Sequence, residues 1–100
     1  MWILTMFDLP VGTKAERKEA TGFRNFLLEE GFEMSQFSVY MRFCSGKEQA
    51  EGICRRIKEA LPERGKVDIV SITDKQYENI ISFAGRVKQQ RKNPDQFTLF

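Results

Sequence analysis

The sequence contains no histidine. That absence removes Ser-His-Asp and Cys-His catalysis, imidazole metal ligands and the histidine pH switch. Any metal chemistry must use oxygen ligands, which favour hard ions such as magnesium, manganese or calcium. Cysteine is scarce: Cys44 and Cys54 form no C-x-x-C pair and no disulfide framework, so both are expected as small reduced groups. Long apolar runs are missing too. The run Trp2–Phe7 is too short for a membrane span, and no positively charged segment precedes it. A cytoplasmic protein without membrane partners is expected. Neither sign of charge dominates: 16 Lys and Arg stand against 14 Asp and Glu, net +2, which permits nucleic-acid binding without demanding it.

What is present fits one folded domain. The chain has 100 residues, 41% hydrophobic and 30% charged. A domain of this size has little surplus stability, so burial against a partner would help it. Residues 2–7 alternate as a strand, with Trp2, Leu4 and Met6 on one face and Ile3, Thr5 and Phe7 on the other. Thr13-Lys14-Ala15-Glu16 is a capping box. The helix after it carries Ala20, Phe23, Phe26 and Leu27 on one stripe and ends at Gly31. From Phe32 to Phe43 the period-two pattern slips near Gln36, which predicts two strands meeting there, with a single bulged strand as the alternative.

Ser45-Gly46-Lys47-Glu48 matches a second capping box, before a helix with Ala50, Ile53, Cys54, Ile57 and Leu61 on one face and Pro62 as its stop. Residues 66–73 are a β-branched strand. Thr73-Asp74-Lys75-Gln76 is a third box. Residues 77–84 fit either a helix or one helical turn followed by a short strand. A basic linker then leads to a terminal strand, Gln96–Phe100. The expected class is α+β: a ferredoxin-like β-α-β-β-α-β sandwich over residues 1–84, with residues 85–100 as linker and extra C-terminal strand.

Two helices cover only one face of such a sheet. The other face keeps large apolar residues from the first strand, and an uncovered apolar face marks an interaction site. A second copy related by a twofold axis is the simplest occupant, giving a face-to-face homodimer. The terminal strand either pairs with that partner subunit or folds back on its own sheet. Asp8 ends the first strand just before Pro10. It either opens a turn or, with its copy across the twofold axis, forms a divalent-metal site that one chain lacks.

Several motifs, in order along nearly the whole chain, carry a resemblance: Phe7-Asp8-Leu9-Pro10, Phe26-Leu27, Gly31-Phe32, Gln36-Phe37-Ser38-Val39-Tyr40 and Ile72-Thr73-Asp74-Lys75-Gln76-Tyr77. Together they resemble CRISPR-associated protein two, the small subunit of the spacer-acquisition machinery, in the form found in type II systems. The resemblance implies a homodimer with sheets face to face and C-terminal strands exchanged. It implies partnership with the CRISPR-associated integrase, protein one, whose dimers the small dimer bridges while contacting DNA. It also implies magnesium-dependent (or manganese-dependent) endonuclease activity on RNA or DNA, with Asp8 as catalytic residue and metal ligand and the ion held between the two Asp8 copies. One departure stands out. Many relatives carry a second acid soon after the first, but Leu9-Pro10-Val11-Gly12 follows here, and the next acid is Glu16.

Phosphate contact needs lysine and arginine but no base code. Lys14, Arg17 and Lys18 at the first helix, with Lys75, Arg86 and Lys88 further on, are the nucleic-acid candidates. The alternative for the first three is a solvated helix face, since Glu16 and Glu19 interleave with them. Two further functions fit the same fold: an architectural DNA scaffold without catalysis, and a small-molecule sensor domain, for which the sequence offers no glycine-rich phosphate loop.

Overall fold

The computed structural model describes residues 1–94, so the expected strand at Gln96–Phe100 lies outside the described residues. The elements run β1 (Trp2–Asp8), α1 (Lys14–Glu29), β2 (Glu33–Gln36), β3 (Val39–Phe43), α2 (Lys47–Glu59), β4 (Lys66–Ile72), α3 (Asp74–Glu78), β5 (Ser82–Ala84) and β6 (Val87–Gln89). β1 to β4 form an antiparallel sheet in the order β2-β3-β1-β4, the ferredoxin-like arrangement. β5 and β6 form a separate hairpin.

Local sequence explains most boundaries. Thr13 accepts from the Glu16 N–H while the Glu16 carboxylate accepts from the Thr13 N–H, and Thr73 and Gln76 repeat this reciprocal cap. The Phe32 N–H bonds Leu27 O at 3.0 Å and the Gly31 N–H bonds Leu28 O at 3.1 Å, which closes α1 in a Schellman motif. That closure needs the left-handed φ of +89° at Gly31. The box expected at Ser45 does not form. Gly46 is the N-cap of α2, and the Gln49 side chain reaches back to accept from the Ser45 N–H at 2.8 Å. Leu61, expected on the buried face, lies beyond the end of α2 and is exposed.

The phase slip has two causes. β2 and β3 meet at the turn Phe37-Ser38, as preferred from the sequence, and β2 also shifts register between Met34 and Gln36. Residues 77–84 resolve into the end of one helical turn and then β5. The first part of the expected linker is paired: β6 returns along β5 through Gly85-Arg86.

The core lies between the helices and one face of the sheet. Ile3 and Tyr40 from the strands meet Phe23 and Leu27 of α1 and Ala50, Ile53 and Ile57 of α2, with Phe32 and Cys44 at the ends. Thr5 sits among them with no accessible surface, and its hydroxyl has no hydrogen-bond partner. An unpaired buried hydroxyl costs free energy that an isosteric methyl does not. Thr5→Val is therefore expected to raise the unfolding free energy by about 1 kcal/mol, read as a higher urea midpoint at unchanged slope.

The opposite face carries Trp2, Leu4, Met6 and Asp8 of β1 in register with Phe43, Met41 and Val39 of β3 and Ile72, Val70, Asp68 and Lys66 of β4. Its Trp2 end is covered by the chain itself. Tyr77 stacks on Trp2 with centroids 3.7 Å apart, and the Arg91 guanidinium lies 5.6 Å over Tyr77. Buried Asn93 accepts from the Trp2 indole N–H and donates to Asp74 O. The Met1 ammonium pairs with the Asp74 carboxylate. Toward Asp8 the face is open: Met6 is 36% and Val70 39% exposed.

Candidate functional site

Asp8 is held by its neighbours rather than by its own side chain. The preceding Phe7 turns inward, edge-on to Phe23 at 5.3 Å and against Tyr40 at 5.5 Å. The Phe7 N–H donates to Ser38 O at 3.0 Å, which ties the β2–β3 turn to this end of β1. On the other side Lys66 of β4 stands opposite Asp8. Gly65 presses on the same point: a Cβ there would lie 2.7 Å from Asp8 O and 2.7 Å from a Leu9 methyl, and its φ is +96°. Both facts exclude a side chain. Gly65→Ala is expected to cost about 2 kcal/mol in chemical unfolding and to displace Asp8.

The Asp8 side chain lines a shallow depression of about 300 Å³ with Phe37, Ser38, Val39, Lys66 and Asp68 among its walls. Asp8 is exposed, and its carboxylate makes no hydrogen bond or ion pair among the described residues. The one cation opposite it is directed elsewhere: Lys66 Nζ lies 3.6 Å from Asp68 Oδ2. Both partners are largely exposed, so that pair contributes little to stability.

Sequence reasoning missed Lys66, Asp68 and the placement of Phe37. Only the β1–β4 register puts Asp68 diagonal to Asp8 on one face. The signal available beforehand was the parity of the two strands, once their pairing was known.

The donor set fits a hard divalent cation in part. It offers one free carboxylate, and the described residues contain no cluster of three or more His, Cys, Asp or Glu able to hold a metal. Magnesium and manganese sites accept few protein ligands and keep several waters, so one carboxylate from each of two copies suits them.

The basic candidates divide into separate places. Lys14, Arg17 and Lys18 are exposed at the start of α1, joined to Asp8 by the loop Leu9–Thr13. Arg17 is partly committed to that loop, donating to Val11 O at 3.1 Å and Gly12 O at 3.5 Å. Lys75 lies in α3, beside the Asp74 that pairs with Met1, and so at the opposite end of β1. Arg86 and Lys88 are exposed on the C-terminal hairpin. The α1 group is therefore the one attached to the Asp8 end. Cys44 is buried, and burial, then Cys44, then Glu51 raise the Cys54 thiol above its ordinary pKa, which keeps it in the unreactive neutral form. No helix among the described residues is long and apolar enough to cross a membrane.

Comparison with known proteins places the chain in a family. The family described as CRISPR associated protein Cas2 matches residues 1–80. A protein of Paracidovorax avenae named CRISPR-associated endoribonuclease Cas2 is 62% identical over 100% of this chain and 94% of its own length. A protein of the same name from Flavobacterium psychrophilum is 47% identical over 96% of this chain and 84% of its own. Another, from Parvibaculum lavamentivorans, is 42% identical over the full length of both. With a match over four-fifths of its length and relatives this similar along nearly all of it, the chain belongs to the CRISPR-associated Cas2 family.

Proposed function

We propose that the protein is a nuclease subunit of CRISPR adaptation, acting as a homodimer on RNA or DNA through its paired Asp8 carboxylates. The observation that carries this is Asp8 itself: an exposed carboxylate with no partner among the described residues, on the uncovered half of a sheet face. The names of the relatives, CRISPR-associated endoribonuclease, favour RNA. In this reading the two open faces pack together and bring the Asp8 copies across the twofold axis. Together they would hold a magnesium or manganese ion, which would polarise the phosphodiester as a Lewis acid. Lys66, opposite Asp8, meets the phosphate charge on the other wall. The chain has no histidine to act as general base, so turnover is slow.

The same dimer bridges the CRISPR-associated integrase dimers and lies along DNA, with Lys14, Arg17 and Lys18 as phosphate contacts nearest the site and Lys75, Arg86 and Lys88 as further ones. β4 supports strand exchange, because β1 is its sole strand partner among the described residues and its other edge is free to take a partner's terminal strand. The architectural reading without catalysis rests on a specific observation too: of the two carboxylates one chain brings to the depression, Asp68 is paired with Lys66 and only Asp8 is left for a metal. The deciding experiment incubates labelled RNA and duplex DNA with magnesium, manganese or chelator, wild type beside Asp8→Asn. Metal-dependent cleavage lost in the variant supports the nuclease. Equal, negligible cleavage with duplex binding retained leaves the scaffold.

A further inference from the structure

Phe37 is 92% exposed, the highest exposure of any large hydrophobic side chain among the described residues. It occupies the tip of the β2–β3 turn. Its neighbours in sequence, Gln36 and Ser38, are polar and exposed, and in space it borders the depression that Met6 and Val39 also line. The turn that presents it is strained. Ser38 has φ +63°, the one non-glycine positive φ among the described residues. Strain of this kind persists only where surrounding structure enforces it, and it concentrates at functional sites. Here the bond from Phe7 N–H to Ser38 O enforces it, fixing the tip against the strand end that carries Asp8.

A ring presented to water on a backbone-tied turn, beside a carboxylate and a lysine, has a specific chemical fit. Phe37, Asp8 and Lys66 line one depression. Lys66 is a phosphate-seeking cation, and a flat aromatic face attracts nucleobases of any sequence. Bases inside a duplex hide their faces, whereas unpaired bases present them. We infer that Phe37 is a base-stacking platform that positions an unpaired nucleotide so that its neighbouring phosphate meets Asp8 and Lys66. This rests on the nucleic-acid reading of the Asp8 site and adds to it a positioning residue with a preference for single strands.

The test measures affinity for a labelled single-stranded RNA in chelator, where metal-dependent cleavage is off, for wild type and Phe37→Ala, Phe37→Leu and Phe37→Trp. Phe37→Ala and Phe37→Leu are expected to bind about 10-fold more weakly, with Phe37→Trp at or above wild type. The salt slope should stay constant, because phosphate contacts are untouched. Placing a run of abasic residues in the RNA should abolish the difference between wild type and Phe37→Ala. Affinity for duplex should be equal in all four proteins.

Full affinity in Phe37→Leu would overturn the proposal, since leucine keeps apolar contact but not a stacking face. So would a halved mass of Phe37→Ala in light scattering, which would make the ring a contact between copies. Wild type that binds single-stranded RNA no more tightly than Phe37→Ala sinks the stacking role alone. Wild type that binds neither RNA nor duplex sinks the nucleic-acid reading beneath it as well.

Discussion

Asp8→Asn is expected to lower metal-dependent cleavage by about 100-fold or more, since each tenfold corresponds to about 1.4 kcal/mol and Lewis-acid stabilisation supplies several. Folding should be nearly untouched. The Asp8 carboxylate makes no bond among the described residues that asparagine would break, and substitutions at such exposed positions fall within about 0.5 kcal/mol. A second readout separates a metal ligand from a turn residue. Two carboxylates facing each other across an axis repel, and a divalent cation between them reverses the sign. Magnesium should therefore tighten association of the wild type. It should leave Asp8→Asn indifferent, and in chelator the variant should associate more tightly than wild type. Sedimentation at a series of protein concentrations reads both. A variant that cleaves like wild type, or a wild type whose self-association ignores magnesium, removes Asp8 from the metal.

What the sequence made legible was what is encoded locally. Thr13 and Thr73 announced their helices because a capping box is complete within four residues. The same pattern misled at Ser45, where Gly46 takes the N-cap and Gln49, one position later than Glu48, supplies the reaching side chain. The hairpin β5–β6 was hidden behind a basic composition, although Gly85 between short alternating runs was its signal. Asp8 was legible as a strand-ending carboxylate. Its surroundings were not, because Lys66 and Asp68 reach it only through cross-strand register, and Phe37 only through the bond that folds the turn against Phe7. Aromatic residues at strand spacing usually lie in a core or interface, and Tyr40 does, fully buried. Phe37 falls in the turn, outside the alternation, and ends in solvent. Burial could not be read from residue type at either position. It follows from where each one stands in the hairpin: Tyr40 in β3 opposite the buried Thr5, Phe37 in the turn before β3 begins.

Val70→Asp is expected to convert the proposed dimer to a monomer. Val70 lies opposite Leu4 in the centre of the face left open toward Asp8, between the segment covered by Asn93 and the depression. In the single chain it is 39% exposed, so an aspartate there remains hydrated and the fold survives. Between two packed sheets the same carboxylate loses water, and its twofold copy brings a like charge rather than a partner. An uncompensated buried charge costs about 3 kcal/mol or more, which is roughly 100-fold in the dissociation constant. Light scattering should show half the wild-type mass at micromolar protein. The wild-type melting temperature should rise with protein concentration and that of the variant should not, because association stabilises by mass action. Val70→Thr, similar in shape and uncharged, should stay dimeric. The effect on chemistry follows from the site being shared. If one Asp8 from each copy is needed, Val70→Asp loses cleavage although every residue of the depression is intact, and mixing it with wild type does not restore its share. A variant that keeps the wild-type mass would place the partner on another face, and with it the second carboxylate. Retained cleavage by a proven monomer would show that a single Asp8 suffices.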